Sequence, residues 1–121
     1  MDVIEIYRKP CHNTDESVQH MEKTGEAIFA LIKHYSKGLF SVDDDQGCFN
    51  DGRQYQIYEA KNQGAVVVDK HMRTYNYIAK VYLIGFNPKN KIFKELKGNL
   101  EKLANAEDAN VAKTILSKLA D

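Results

Sequence analysis

The sequence predicts an α+β domain in which one antiparallel sheet carries helices on one face. Strand-like stretches follow one another through the middle of the chain, with connections too short for a crossover helix. A long amphipathic segment precedes them and two shorter ones follow them. The element order is therefore β-α-β-β-β-β-α-α, and the simplest two-layer packing places the helices on one face of the sheet.

The composition is typical of one globular domain spanning residues 1–121. Hydrophobic residues make up 43% of the chain and charged residues 28%. A chain of this length can bury an adequate core without a disulfide. It contains no apolar run as long as a membrane span, and its N-terminus resembles a strand rather than a signal peptide. We therefore expect a cytoplasmic protein without a membrane partner.

The charge balance bears on the choice of partner. The 17 basic and 17 acidic residues give a net charge of zero, whereas nucleic-acid-binding domains normally carry a basic excess. Nucleic acid is therefore disfavoured as a partner, although it stays open. A net charge near zero also weakens colloidal repulsion and so favours self-association. Without an export signal, Cys11 and Cys48 are expected to be free thiols.

The N-terminal part of the chain is predicted to contain one strand and one long helix. Alternating strand formers occupy residues 3–7, and Pro10 ends the strand. Asn13 is the expected N-cap of the helix, and Gly38 is expected just after its C-terminus. Gly25 interrupts the helix, and we expect another element to approach closely there. The apolar face of the helix comprises Val18, Met21, Ile28, Leu31, Ile32 and Tyr35.

The middle of the chain is predicted to form an antiparallel meander. Its strands are expected at residues 39–42, 54–60, 65–70 and 74–86. Asparagine, aspartate and glycine between these runs tolerate positive φ and so favour turns. The last run is long for a strand, and we expect it to bend or bulge near Gly85.

Strict alternation along the last strand assigns its side chains to two faces. Tyr75 and Tyr77 are expected to share a face with Val81, and Tyr82 is expected opposite them with Lys80.

Aromatic and basic side chains on one strand can stack and hold unpaired bases. The candidate binding residues are Arg73, Tyr75, Tyr77 and Lys80. Tyrosine is also common in half-buried strands and at protein interfaces, which favours a core or protein-binding role for them.

Two helices are predicted to close the chain. Asn87 is the expected N-cap of the first, with Pro88 at its first helical position. Its apolar stripe comprises Ile92, Phe93, Leu96, Leu100, Leu103 and Ala104. Asn105 is the expected N-cap of the second helix, with Asp108 at its third position. Its stripe comprises Val111, Ala112, Ile115, Leu116 and Leu119.

An acidic run before the meander is the one place where the chain concentrates a single chemistry. Four carboxylates fall between Asp43 and Asp51, and clustered carboxylates are either well solvated or gathered around a cation. The run does not fit an EF-hand, because starting at Asp43 puts Gly47 at position 5 and Cys48 at position 6. A solvated connection is the favoured interpretation, with Asp43, Asp45 and Asp51 as candidate ligands of an irregular metal site.

The remaining chemistry is sparse. Cys11 lies near a predicted helix N-terminus, where a thiolate is stabilised, so it is a candidate reactive cysteine as well as an ordinary loop residue. The histidines show no metal-ligand spacing, and no cofactor or catalytic motif is present. We therefore predict a non-enzymatic binding or adaptor domain without a cofactor. Its expected partner is a protein, and it is expected to be able to form a homodimer through its sheet.

Two alternatives belong to other functional classes. One is a small metal-assisted enzyme that uses Asp43, Asp45 and Asp51 with a nearby histidine. The other is a single-stranded nucleic-acid binder that uses the strand tyrosines.

Overall fold

The computed structural model confirms the predicted α+β class and the order of its elements. The residues that it describes are 1–6, 15–36, 48–50, 53–60, 64–72 and 76–120. Their secondary structure is β1 (Asp2–Glu5), α1 (Asp15–Ser36), β2 (Cys48–Asn50), β3 (Arg53–Ala60), β4 (Gly64–Met72), β5 (Asn76–Ile84), α2 (Lys91–Asn105) and α3 (Asn110–Leu119). The expected cap Asn13, the expected Gly38 terminus and the strand expected at 39–42 lie outside the described residues.

The five strands form one antiparallel sheet in the order β1-β5-β4-β3-β2. Strands β2 to β5 make a meander, and β1 pairs with its last strand. Since β1 and β2 lie at opposite edges, the segment containing α1 carries the chain from one edge of the sheet to the other. A helix of 22 residues is about 33 Å long, enough to cross the sheet.

The core lies between the helices and one face of the sheet. Val66, Val68, Val81 and Leu83 of the two central strands are almost completely buried there. The helices supply the other half with the following buried side chains: Ala27, Ile28, Leu31, Ile32, Phe93, Leu96, Leu100, Leu103, Ala112 and Ile115. The amphipathic patterns predicted most of these residues correctly, because burial follows the helical period, but they missed Ala27 and included Val18, which is outside the core cluster.

Strand β5 contains a β-bulge, but not at the expected position. Asp69 of β4 pairs with Lys80, whereas the next residue, Lys70, pairs with Ile78, so Ala79 is an extra residue in β5. The chain does bend at Gly85, which has a φ of 76°, but β5 has already ended at Ile84 and the bulge lies six residues earlier.

The bulge also overturns the predicted assignment of tyrosines to faces. Because one residue is inserted at Ala79, side chains on either side of it change phase. Tyr77 pairs with His71, and Lys80 pairs with Asp69. Because Asp69 and His71 share one face of β4, Tyr77 and Lys80 lie on that face together with Tyr82. Val81, which alternation had placed with Tyr77, is buried on the opposite face.

The last two helices begin later than predicted. Asn90, not Asn87, caps α2, because its Oδ1 accepts hydrogen bonds from the backbone N–H groups of Ile92 and Phe93 at 2.9 and 3.2 Å. Asn87 instead closes the preceding turn, where its backbone oxygen accepts from the backbone N–H of Asn90 at 3.0 Å. Two asparagines three residues apart thus divide the roles of turn and cap.

Asn105 was also wrongly expected to cap the last helix. It is the final residue of α2, and α3 begins at Asn110. The Oδ1 of Asp108 accepts from the backbone N–H of Asn110 at 2.9 Å, which satisfies one of the free donors at the start of α3.

The acidic run is only partly a connection. Cys48–Asn50 forms the edge strand β2, which pairs with β3 from Cys48 opposite Tyr55 to Asn50 opposite Arg53. The sequence had placed these residues in a loop. Phe49 and its neighbours are thus held by backbone pairing with β3.

Gly25 lacks the expected close neighbour. A Cβ built at this position would meet the Cδ1 of Ile78 at 3.9 Å, which is ordinary van der Waals contact. Gly25→Ala should therefore raise the free energy of unfolding by about 1 kcal/mol, since it removes the conformational entropy of glycine from a helix interior. Urea denaturation measures this change.

Gly64→Ala is the matched control, and it should destabilise the protein. Gly64 has a φ of 130°, and a Cβ there would overlap the backbone oxygen of Ile84. A Gly25→Ala variant that loses stability as Gly64→Ala does would contradict the observed packing of α1 on β5.

Candidate functional site

The sheet has a second face on which none of the described helices packs. We call this the open face. The strand register places the following residues on it: Val3, Glu5, Tyr55, Ile57, Glu59, Ala65, Val67, Asp69, His71, Tyr77, Lys80, Tyr82 and Ile84.

An apolar row crosses four strands of the open face. Val3 of β1 pairs with Tyr82 of β5, Tyr82 pairs with Val67 of β4, and Val67 pairs with Ile57 of β3. Directly opposed residues in an antiparallel sheet bring their Cβ atoms to about 5 Å, so the row is continuous. Val3 is 43% exposed, and Ile84 beside the row is 39% exposed. The apolar row thus consists of Val3, Tyr82, Val67 and Ile57.

A charged row lies next to the apolar row. Glu5 pairs with Lys80, Lys80 pairs with Asp69, and Asp69 pairs with Tyr55. Glu5 is exposed and Lys80 is half-buried, whereas the side chain of Asp69 is only 3% exposed. The row therefore presents both signs of charge, and its third charge lies inside the protein.

Asp69, His71 and Tyr77 form a polar cluster on the same face. The hydroxyl of Tyr77 and the Nδ1 of His71 are hydrogen-bonded at 3.0 Å, and the two ring centroids lie 4.9 Å apart. On the other side of the imidazole, Nε2 lies 3.7 Å from the Oδ1 of Asp69. The imidazole thus stands between a phenol and a carboxylate.

The contact between His71 and Asp69 is not a hydrogen bond. A distance of 3.7 Å is within range of a charge pair but too long for a hydrogen bond. Both facing atoms are buried and have no hydrogen-bond partner. When the Tyr77 hydroxyl donates to Nδ1, a neutral imidazole carries its proton on Nε2 and directs it towards Asp69. Buried polar atoms without partners reduce stability, which is a common property of functional sites.

The structure brings together two of the four predicted binding residues. Tyr77 lies opposite His71 and Lys80 lies opposite Asp69, both on the open face. Arg73 and Tyr75 lie outside the described residues, so their predicted role stays a prediction.

The predicted metal ligands fall entirely outside the described part of the chain. Asp43, Asp45 and Asp51 are the residues concerned. Among the residues that the structure does describe, no group of three histidine, cysteine, aspartate or glutamate side chains is placed to hold a metal ion.

Sequence reasoning missed Asp69 and His71 as members of a site. Two polar residues at i and i+2 on a strand lie on one face, and here they directly follow the apolar run Val66 to Val68. This spacing of two polar residues after an apolar run is the signal in the sequence that could have identified them. The contribution of Tyr77 could not be found this way, because its phase depends on the bulge at Ala79.

The wider comparisons leave the site to be interpreted on its geometry alone. No helix in the described ranges combines the length and apolarity needed to cross a membrane. Comparison of the chain with known protein families, with curated proteins and with solved structures found no match.

The Asp69–His71–Tyr77 cluster predicts opposite effects for two conservative substitutions. Asp69→Asn should raise the free energy of unfolding by about 1 kcal/mol, because it removes a buried carboxylate whose Oδ1 has no hydrogen-bond partner. Tyr77→Phe should lower it by about 1 kcal/mol, because it removes the hydrogen bond to His71 Nδ1.

Chemical denaturation of both variants beside the unmodified protein distinguishes these effects. Equal losses of stability in Asp69→Asn and Tyr77→Phe would show that Asp69 and His71 form a closed, stabilising ion pair in solution, against the 3.7 Å separation.

Proposed function

We propose that this domain binds another protein through its open face, and that the first partner to consider is a second copy of the chain. The apolar row carries the proposal. Apart from Met1, Val3 and Ile84 are the only exposed large hydrophobic side chains among the described residues, and both lie on the open face. The half-buried side chains of Tyr82, Val67 and Ile57 continue this apolar surface across the sheet, and apolar surface of this kind is typical of protein interaction sites.

The composition of the open face supports a protein as the partner. Tyrosines at positions 55, 77 and 82 share this face with the aliphatic side chains of Val3, Ile57, Val67 and Ile84. Tyrosine offers a large apolar body with a polar tip, and it is enriched in protein interfaces. Two antiparallel sheets can pack face to face at a separation of about 10 Å, with side chains of both inner faces interdigitating.

The charged row supports self-association in particular. In a two-fold symmetric interface, a residue i contacts a residue j of the partner, and j contacts i in return. A row that carries the exposed Glu5 and the half-buried Lys80 side by side contains both halves of such a contact. The net charge of zero means that two copies approach without overall repulsion.

The other predicted functional classes have less support from the described residues. Base stacking by Tyr77 competes with the hydrogen bond that holds its hydroxyl to His71. The metal-assisted mechanism rests on Asp43, Asp45 and Asp51, which lie outside the described residues. We therefore place protein binding first.

Self-association is tested by light scattering during size-exclusion chromatography over a concentration series. The unmodified protein should shift from the mass of one chain towards that of two as concentration rises. The double substitution Val3→Lys with Ile84→Lys should keep the protein at the mass of one chain, because it places two charges within the apolar interface.

Ser117→Lys provides the matched control, since Ser117 is an exposed residue of α3 on the helix layer. It adds the same charge away from the open face and should associate as the unmodified protein does. If the unmodified protein stays monomeric throughout, affinity purification with the same three proteins tests other partners. Proteins retained equally by all three would contradict binding through the open face.

A further inference from the structure

A cleft lies in the helix layer, on the side of the core away from the open face. It is formed by α1, α2 and α3 and has a volume of about 400 Å³. Leu31 of α1 and Ile115 of α3 are buried residues of the core that reach its lining. Cavities that bind small molecules commonly have volumes of about 300–1,000 Å³, so this cleft can accept one small ligand.

The apolar part of the cleft comes mainly from α3. Val111 and Leu119 line it, and both are packed against the core while staying partly exposed. The side of α2 that faces the cleft is polar. The buried residues of this helix belong to the core, and α2 contributes Asn99 and Lys102 to the cleft. The cleft therefore combines apolar walls with a polar rim.

The side-chain amide of Asn99 is held at the cleft by two hydrogen bonds. The Nδ2 of Asn99 donates to the hydroxyl of Tyr35 at 3.3 Å and to the backbone oxygen of Glu95 at 3.0 Å. Burial, followed by the negative charge of Glu95, raises the pKa of Tyr35 above its ordinary value. The hydroxyl thus stays protonated at neutral pH and is available as a neutral polar contact.

The charges that line the cleft have one sign. Lys102 of α2 and Lys118 of α3 belong to the lining, and no aspartate or glutamate of the described residues does, so the two lysines outnumber the one nearby carboxylate, Glu95, which acts on Tyr35. This contrasts with the chain as a whole, in which 17 basic residues balance 17 acidic ones. An anionic group is therefore favoured at this rim, and a cationic one is disfavoured.

We propose that the cleft between the three helices binds a small apolar carboxylate. Its hydrocarbon part lies among Leu31, Val111, Ile115 and Leu119, and its carboxylate accepts hydrogen bonds from the ammonium groups of Lys102 and Lys118. The volume of about 400 Å³ lies within the range of small-molecule sites, and an acidic amphipathic helix is the competing occupant that the test distinguishes.

The test uses three probes with the same hydrocarbon chain: octanoate, octanol and octylammonium. Each is titrated into the full chain while methyl resonances of leucine, isoleucine and valine are followed by NMR. Octanoate should perturb the methyls of Leu31, Val111, Ile115 and Leu119 with saturation. It should bind at least about tenfold more tightly than octanol, since a charge-assisted hydrogen bond contributes more than a neutral one. Octylammonium should be the weakest of the three.

Lysine variants separate the role of the rim from that of the apolar walls. Lys102→Gln and Lys118→Gln should each weaken octanoate binding several-fold while leaving the affinity for octanol unchanged. Lys113→Gln is the matched control, because Lys113 is an exposed lysine of α3, the helix of Lys118, and does not line the cleft. It should bind octanoate as the unmodified protein does.

Several results would overturn the proposal. These are equal affinities for octanoate and octanol, an absence of shifts at millimolar octanoate, and shifts centred on the open face. A fourth is the finding that the chain binds an acidic amphipathic peptide at the cleft but does not bind octanoate. That result would assign the cleft to a protein partner.

Discussion

The insertion of Ala79 into β5 is the constraint on which both faces of the sheet depend. On the side of β4 this residue has no partner in the register. On the side of β1 its backbone oxygen accepts a hydrogen bond from the backbone N–H of Ile6 at 2.8 Å. The extra residue is thus anchored, and it lets Ile78 and Val81 lie on the same face although three positions separate them. Both side chains then reach the core beneath α1.

The same insertion creates the polar cluster on the open face. With an uninterrupted register, His71 would pair with Ile78, and Tyr77 would pair with Met72. The bulge instead sets Tyr77 opposite His71 and leaves Lys80 opposite Asp69. Bulges often re-aim side chains next to functional sites. Asp69 and His71 each bury a polar atom that has no hydrogen-bond partner, an arrangement that stability alone does not favour.

The sequence was sufficient for the parts of the fold that depend on local periodicity. The apolar stripes of α1, α2 and α3 follow the helical period, so their buried residues could be identified without knowing what they pack against. The short connections likewise required an antiparallel meander. The bulge could not be found in this way, because nothing in the composition of β5 distinguishes Ala79 from its neighbours. Its position is set by the pairing of Asp69 and Lys70 on the adjacent strand.

The misplaced helix starts and the incomplete site have related physical causes. Asn87 and Asn90 are chemically equivalent as caps, so residue type alone does not decide which of them begins the helix, and it is Asn90 that does. Tyr77 and Lys80 were correctly singled out, but Asp69 and His71 were not. The cluster that they form is assembled across two strands, so no single stretch of sequence displays it.

Cross-strand nuclear Overhauser effects between β4 and β5 test the central claim most directly. The bulged register predicts backbone contacts between His71 and Tyr77 on one side of Ala79 and between Asp69 and Lys80 on the other. Contacts between His71 and Ile78, together with contacts between Lys70 and Ala79, would show a regular ladder. They would remove Tyr77 from the open face and contradict the polar cluster, while leaving the apolar and charged rows unchanged.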